Sequence, residues 1–337
     1  MRPFSIGYSS ALALGLAFYT QLVVADIYDG GCGGKGEVKL RIGNGGAGQS
    51  GLVKELANHF IKNKTDNCAG QTFKVEWVKG DTTETINNIK VGAVDIGITY
   101  SQAAEKIAIQ SGIAQGCRYC ENQTMPCFGK CTGCTEKPCY TFRDHFLLTG
   151  PGSNTPRISK EDDIQTTFSK LYAAAENDTA RFLTRYDKSA TNIKDSELWI
   201  SIGQVPWATA YSTWYHQYID YPIQALSAAS LLQEYTITDR GTYLTLADQN
   251  KTLTDNIHIY KNGEDVPELL NSADIIVATK PKDKEVAANF VKWVHGHEGQ
   301  QVIVNFHKKD GYCLYKGFPN GKQDVVPTDC KWELGSK

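Results

Sequence analysis

Residues 41–60, RIGNGGAGQSGLVKELANHF, join a short strand to a helix through a loop crowded with glycine, and few stretches restrict a fold as much. Val38, Leu40 and Ile42 alternate as in a half-buried strand, and Leu52, Leu56 and Phe60 then recur at the four-residue spacing of an amphipathic helix. Between them Gly43, Gly45, Gly46, Gly48 and Gly51 allow a tight turn and a close approach of backbone to a ligand. The N–H groups at such a helix start favour an anion, which makes the stretch a candidate jaw of an anion-binding cleft. The competing reading is a strand-to-helix turn whose glycines serve packing alone.

The chain has 337 residues, enough for two domains, and carries 35 Lys+Arg against 37 Asp+Glu with no basic run or helix face to track a phosphate backbone. Nucleic acid is therefore not an expected partner. Arg2, the apolar run 11–18 and the small residues before position 25 read as a signal peptide over 1–25, cleaved after Ala25, and no later run is long enough to span a membrane. A secreted product is expected. The ten cysteines suit that compartment, with Cys32–Cys68 and Cys313–Cys330 as the simplest pairings outside a dense cluster. That cluster, Cys117, Cys120, Cys127, Cys131, Cys134 and Cys139, contains two C-x-x-C pairs, so a zinc knot stands beside three disulfides of undetermined connectivity. The disulfide reading is preferred. Sequons at Asn63, Asn122, Asn177 and Asn250 point to a glycosylated eukaryotic product with those asparagines at the surface.

Periodicity gives an α/β chain with a mainly parallel sheet. A strand is expected over 72–80, a turn at Gly80-Asp81, a helix through Ile86 and Ile89, and a buried strand over 94–99. Residues 101–110 read as a helix, 146–148 as a strand, 159–175 as a helix and 181–186 as a strand. A mostly helical segment is expected over 197–244, breaking at TITDRGTYL, with Trp207, Tyr211, Trp214, Tyr215 and Tyr218 as a stripe that either packs or stacks on sugar rings. Strands at 257–259 and 273–278 and helices at 284–295 and from Glu298 complete the pattern. The chain then divides into lobe 1 (36–150 and 258–337, with the cysteine insertion 117–139) and lobe 2 (151–257), two connections making a hinged cleft.

No catalytic signature emerges: His295 and His297 read as surface residues, and no cofactor is expected. Gly43-x-Gly45-x-x-Gly48 matches a dinucleotide fingerprint, but the acidic residue that should follow about twenty positions on is not clearly placed, Glu76 lying later. The second jaw is 182–199, FLTRYDKSATNIKDSELW. Arg185 is its leading candidate, because a guanidinium fork matches a tetrahedral oxyanion and stays charged. Ser189 and Thr191 add hydroxyl and N–H donors, and Asn192 or Thr191 can cap the following helix. Alternatively Arg185 pairs with Asp187.

Several segments in this order, GAVDIGIT, FRDHFLLTGPG, TRYDKSATNIKDSELW, EYTITDRGTYL and FVKWVHGHEGQQVIVNF, resemble the bacterial tungstate-binding family of extracellular solute receptors over nearly the whole mature length. The resemblance implies a two-lobe type II periplasmic-binding-protein fold, closing over a tetrahedral oxyanion of the tungstate or molybdate kind and performing no chemistry. It does not by itself imply an importer partner. Where that family has a Thr-Thr-Thr-Ser run, this chain has Gly43, Asn44, Gly45 and Gly46, and Tyr186 and Ala190 stand where the family's arginine loop has glycine. Lost hydroxyls leave loop N–H groups, the Asn44 amide, Ser50, and Thr99 or Tyr100 to replace them. The alternative is an extracellular interaction protein of the same fold, without the small ligand, engaging glycan or protein through the aromatic stripe or the cysteine insertion.

Overall fold

The computed structural model describes residues 25–119, 135–209, 211–318, 325 and 329–334. The segment 1–24 and most of the cysteine insertion, 120–134, lie outside them. In chain order the elements of the first half are β1 (Ala25–Tyr28), β2 (Val38–Asn44), α1 (Gly46–Ser50), α2 (Leu52–Lys64), β3 (Lys74–Lys79), α3 (Thr82–Lys90), β4 (Ile96–Thr99) and α4 (Gln102–Gln110). Then follow the short strands β5 (Ala114–Gln115), β6 (Cys117–Tyr119) and β7 (Thr135–Lys137), and the long β8 (Cys139–Pro151). The second half runs α5 (Ile164–Glu176), β9 (Phe182–Thr184), α6 (Ala190–Ser201), β10 (Tyr215–Gln217), α7 (Pro222–Leu232), β11 (Tyr235–Asp239), α8 (Arg240–Gln249) and α9 (Lys251–Asp255). Last come β12 (Ile257–Asn262), β13 (Leu270–Ala278), α10 (Lys284–Val294), α11 (His297–Val304) and β14 (Lys316–Gly317).

The strands run in the order β1-β3-β2-β4-β13-β8-β11-β9-β10, so two sheets meet at β8. Its first half pairs antiparallel with β13 through His145↔Leu270, and its second half with β11 from Phe146 and with β12 from Leu147 onward. The sheets are mixed rather than mainly parallel: β2, β3 and β4 are parallel to one another, whereas β1 and β13 close that group antiparallel. Two separate cores follow from this arrangement. Phe60, Trp77, Phe142, Phe290 and Tyr315 belong to one, and Phe146, Phe168, Phe182, Trp199 and Tyr235 to the other. β8 thus sends Phe142 into one lobe and Phe146 into the next, with Asp144 and His145 between them. Edge-to-face packing fixes the second core, with Phe182 and Trp199 centroids 5.2 Å apart at 88°.

The segment expected to be mostly helical over 197–244 is broken into α6, a 3-10 turn at Pro206–Ala208, β10, α7 and β11. Gly203, with φ of +73°, and Pro206 end the helical run, and Tyr215, a good strand former, pairs with Phe182. The aromatic stripe therefore does not exist as a helix face. Trp214 and Tyr215 are buried in the second core, whereas Tyr211 is 95% exposed. His295 is also not at the surface. It is buried at the end of α10, where its Nε2 lies 3.1 Å from Tyr140 O and its Nδ1 2.8 Å from Val291 O; burial lowers its pKa. His297 is exposed.

Disulfides join Cys32 to Cys68 and Cys313 to Cys330, the two simple pairings. Cys117 bonds to Cys139, which takes that sulfur out of any zinc site with Cys120. Asn63, Asn177 and Asn250 are all exposed. Among the described residues no helix is long and apolar enough to cross a membrane.

Candidate functional site

A narrow cleft opens where the two lobes face each other, lined among others by Gly45, Gly46, Tyr100, Asp144, Arg185 and Thr191. Its enclosed volume is about 40 Å³. That is room for about three waters or a ligand of similar size, well short of the several hundred Å³ that an organic ligand occupies. The lobes touch beside it, the Thr83 hydroxyl of α3 donating to Lys188 O at 2.9 Å.

The glycine loop divides into two functions. After β2 the chain turns at Gly45 directly into α1, so the helix starts within the loop, and Gly51, at φ of +96°, links α1 to α2. Gly43 and Gly48 serve packing: a Cβ at Gly43 would lie 2.9 Å from Thr85 Cγ2, and one at Gly48 would lie 2.1 Å from the Trp77 ring. Gly45 and Gly46 face the cleft. Asn44 is fully buried, its Oδ1 accepting the Gly48 N–H at 2.7 Å while its Nδ2 donates to Ile98 O at 2.7 Å. The amide expected to meet a ligand instead ties β2 to β4 and caps α1. Ser50 shares a 2.7 Å hydrogen bond with the Tyr315 hydroxyl, and Thr99 donates to Glu105 Oε1 at 2.8 Å. Of the ten sequence candidates the cleft gathers Gly45, Gly46, Tyr100, Arg185, Ser189 and Thr191, and leaves Gly43, Asn44, Ser50 and Thr99 outside.

On the opposite jaw Arg185 is only 6% exposed. Its Nε donates to Asp220 O at 3.0 Å and its Nη2 pairs with the Asp187 carboxylate, so the alternative weighed from sequence is real. No partner for Nη1 is found among the described residues. Asp187 also accepts the Ser189 N–H at 3.0 Å, so one carboxylate fixes both the arginine and the start of α6. Ser189, rather than Asn192 or Thr191, caps that helix, accepting the Asn192 N–H at 3.2 Å. The first two residues of α6, Ala190 and Thr191, whose N–H groups lie in the first turn, line the cleft with Arg185. Tyr186 adopts φ of +49°, a conformation that suits the glycine of the related loops, whereas Ala190 is the first residue of α6 and needs none.

Side chains that sequence reasoning missed complete the cleft: Asp81, Thr82, Asp144, Tyr221, Asp239 and Asn271. Asp81 caps α3 by accepting the Glu84 N–H at 2.8 Å, and burial pushes its pKa up to about 6. Asp144 is held well above the usual carboxylate range, first by burial and then by the charge of Asp239. Asp239 caps α8, accepting the Thr242 N–H and hydroxyl, each at 2.7 Å. Asn271 lies directly across from Asp144 in the β8–β13 ladder, and its buried Oδ1 has no hydrogen-bond partner among the described residues. Lys79 adds a second cation, its Nζ 3.5 Å above the Tyr221 ring, with a pKa lowered mainly by burial. Only the cap pattern around Asp81-Thr-Thr-Glu84 was visible in sequence as a local signal.

The chain is similar to several binding proteins. It is 52% identical to a solved protein described as a periplasmic putative metal binding protein, covering 87% of this chain and 99% of that one, with a TM-score of 0.71. It is 25% identical over 266 residues to the tungstate-binding protein TupA of Peptoclostridium acidaminophilum, which covers 77% of this chain and 78% of that protein. To the TupA of Campylobacter jejuni it is 31% identical over 136 residues, 39% of this chain and only 48% of that protein's length. A family model described as a PBP superfamily domain matches residues 34–298. With that match spanning both lobes and the cleft between them, the chain belongs to the PBP superfamily, as a two-lobe α/β protein of type II.

Proposed function

We propose that this protein is a secreted solute-binding protein that closes its two lobes over one small tetrahedral oxyanion and performs no chemistry on it. The observation that carries this reading is the meeting of the buried Arg185 with the start of α6 across a cleft of about 40 Å³ from Gly45 and Gly46. A guanidinium and helix N–H groups are donors for an anion, and the space admits little more than one such ion. The tungstate-binding proteins among its relatives support the same class of ligand. Extracellular placement rests on the signal-like N-terminus, the disulfides and the exposed sequons. Micromolar affinity requires about 8 kcal/mol, and charged hydrogen bonds net about 1.5–3 kcal/mol each, so Arg185 needs several partners. Thr191, Tyr100 and the backbone N–H groups of the cleft are those partners.

A ligand that binds only the folded state raises the melting temperature. Tungstate, molybdate, sulfate and phosphate at millimolar concentration form the panel, and at least one is expected to stabilise the wild type but not Arg185→Ala. No shift with any of them overturns the reading. A second reading, a metal cation, is favoured by the carboxylates of Asp81, Asp144 and Asp239 and by the 52% identical relative described as metal binding. Against it, no group of three or more such ligands is arranged around a metal position among the described residues.

A further inference from the structure

Three of the points at which the chain changes core are held by one side-chain cluster behind the cleft. β8 sends Phe142 into the first core and Phe146 into the second, crossing at Asp144 and His145. β11 buries Ile237 in the second core and α8 buries Leu244 in the first, crossing at Asp239 and Arg240. From β12 the chain runs through Glu264 and Leu269, a residue of the second core, to Ala273 of β13 in the first. His145 Nε2 lies 2.9 Å from Glu264 Oε1, and Lys316 Nζ reaches the same oxygen at 2.6 Å, so the first and third crossings are joined. Trp332 brings in the second. Its ring lies 4.0 Å from the Arg240 guanidinium and 4.8 Å from Lys316 Nζ, and the His145 ring meets it edge-on at 5.3 Å. Arg240 also donates through Nη2 to Trp332 O and through Nε to Cys313 O.

The tail that carries Trp332 is pinned just before it. Cys330 is bonded to Cys313, the Lys331 N–H donates to Gly311 O at 2.9 Å, and the Cys313 N–H donates to Lys331 O at 3.0 Å. Residues 329–334 lie beyond 34–298, the span of the family match, so the shared fold does not account for them. We propose that this tail is a clasp on the hinge: Trp332, anchored by Cys313–Cys330, ties the three crossings together from outside the cleft and limits how far the lobes move apart. Hinge motion needs backbone rotation at the crossings, and a bridge across them raises the free energy of each opening. Arg240 is 4% exposed, so its contact with the indole is shielded from water and strong for its kind. Burial lowers its pKa to about 10, which leaves the guanidinium charged at neutral pH. Trp332 is not among the residues that line the cleft, but Asp144 and Asp239, which do line it, adjoin the clasped His145 and Arg240. The clasp therefore acts on the cleft through its floor.

Amide hydrogen exchange of the full mature protein, with no anion added, tests this. Trp332→Ala is expected to speed exchange about tenfold or more at the three crossings, the scale of one desolvated cation–π contact. The effect should reach the amides of Val266 and Leu269, whose hydrogen bonds go to Asn262 O and Val266 O rather than to the tail. Amides in the middle of α2 and α5, packed in the two cores, should keep wild-type protection. Trp332→Phe, which leaves an aromatic face for Arg240, should restore most of what alanine loses. The double variant Cys313→Ala/Cys330→Ala frees the tail with Trp332 intact; it should repeat the alanine pattern, and it decides the matter if Trp332→Ala folds poorly. Wild-type exchange at the crossings, or acceleration confined to residues 312–316 beside the tail, overturns the proposal. Equal acceleration in α2 and α5 overturns it as well, because that is global destabilisation rather than a looser hinge. No anion takes part, so the result stands apart from the ligand reading.

Discussion

Adding one methyl group at Gly48 separates packing from ligand binding in the glycine loop. A Cβ there would stand 2.1 Å from Trp77 Cε2 and 2.3 Å from its Nε1, closer than any real contact, so the indole must move. Trp77 is buried in the first core and its Nε1 donates to Asn44 O at 2.8 Å. Forcing extra volume into a packed core costs about 1–3 kcal/mol, and the lost indole hydrogen bond about 1 kcal/mol more. Alanine's better helix propensity returns up to about 1 kcal/mol. Gly48→Ala should therefore destabilise the ligand-free protein by about 1–3 kcal/mol. At Gly46 the nearest atoms to an added Cβ are the Asp239 oxygens at 3.9 Å, an ordinary contact. Gly46→Ala should fold with unchanged stability but weaken any ligand, because its methyl stands in the cleft. Urea titrations followed by tryptophan fluorescence and far-UV circular dichroism measure the difference at a common slope. Equal midpoints for the two variants, or a Gly48→Ala midpoint matching wild type, would refute the division of the loop.

Two other perturbations follow from buried chemistry. Burial raises the Asp195 pKa from 3.8 to about 8 although Thr184 donates to it at 2.7 Å. The folded state therefore holds a proton that the unfolded chain gives up, and this contribution is full below about pH 4, declines as pH rises, and is gone once pH passes about 8. Asp195→Asn should flatten that decline and outlast wild type above pH 8 in a series of melting curves; parallel curves would count against it. The Cys32–Cys68 bridge closes a separation of 36 residues, for which chain entropy gives about 3–4 kcal/mol. Replacing both cysteines with serine should lower the urea midpoint correspondingly, and an unchanged midpoint would show that the loop is held by its other contacts.

Local period was enough to place β2, α2, β3 and α3, whose apolar residues repeat on the face turned to the first lobe's core, and β4 was legible as a short apolar run that is buried throughout. β8 was harder to read. Arg143, Asp144 and His145 in its centre resemble a polar loop, yet they lie where the strand passes from one sheet to the other, and Asp144 among them lines the cleft. Arg185 was legible because a guanidinium fork in a loop with Ser189 and Thr191 matches an oxyanion. Its polar neighbours across the cleft were not, since Asp144 and Asn271 become adjacent only through the β8–β13 register. The residues 207–218 misled for a different reason: aromatic side chains suit strands and helices alike, and their burial is decided by tertiary packing.

The passage of β8 through both sheets also bears on how such a protein can be divided. Lobes joined by flexible linkers can be expressed apart, exchanged, or released by a protease. Here a cut between Phe142 and Phe146 would part β13 from most of the β8 segment it pairs with, while the segment that pairs with β11 and β12 stays with them. The first sheet would be divided, with β1 to β4 on one fragment and β13 on the other. The first lobe is thus completed by chain from both sides of the second, so no single cut releases it whole.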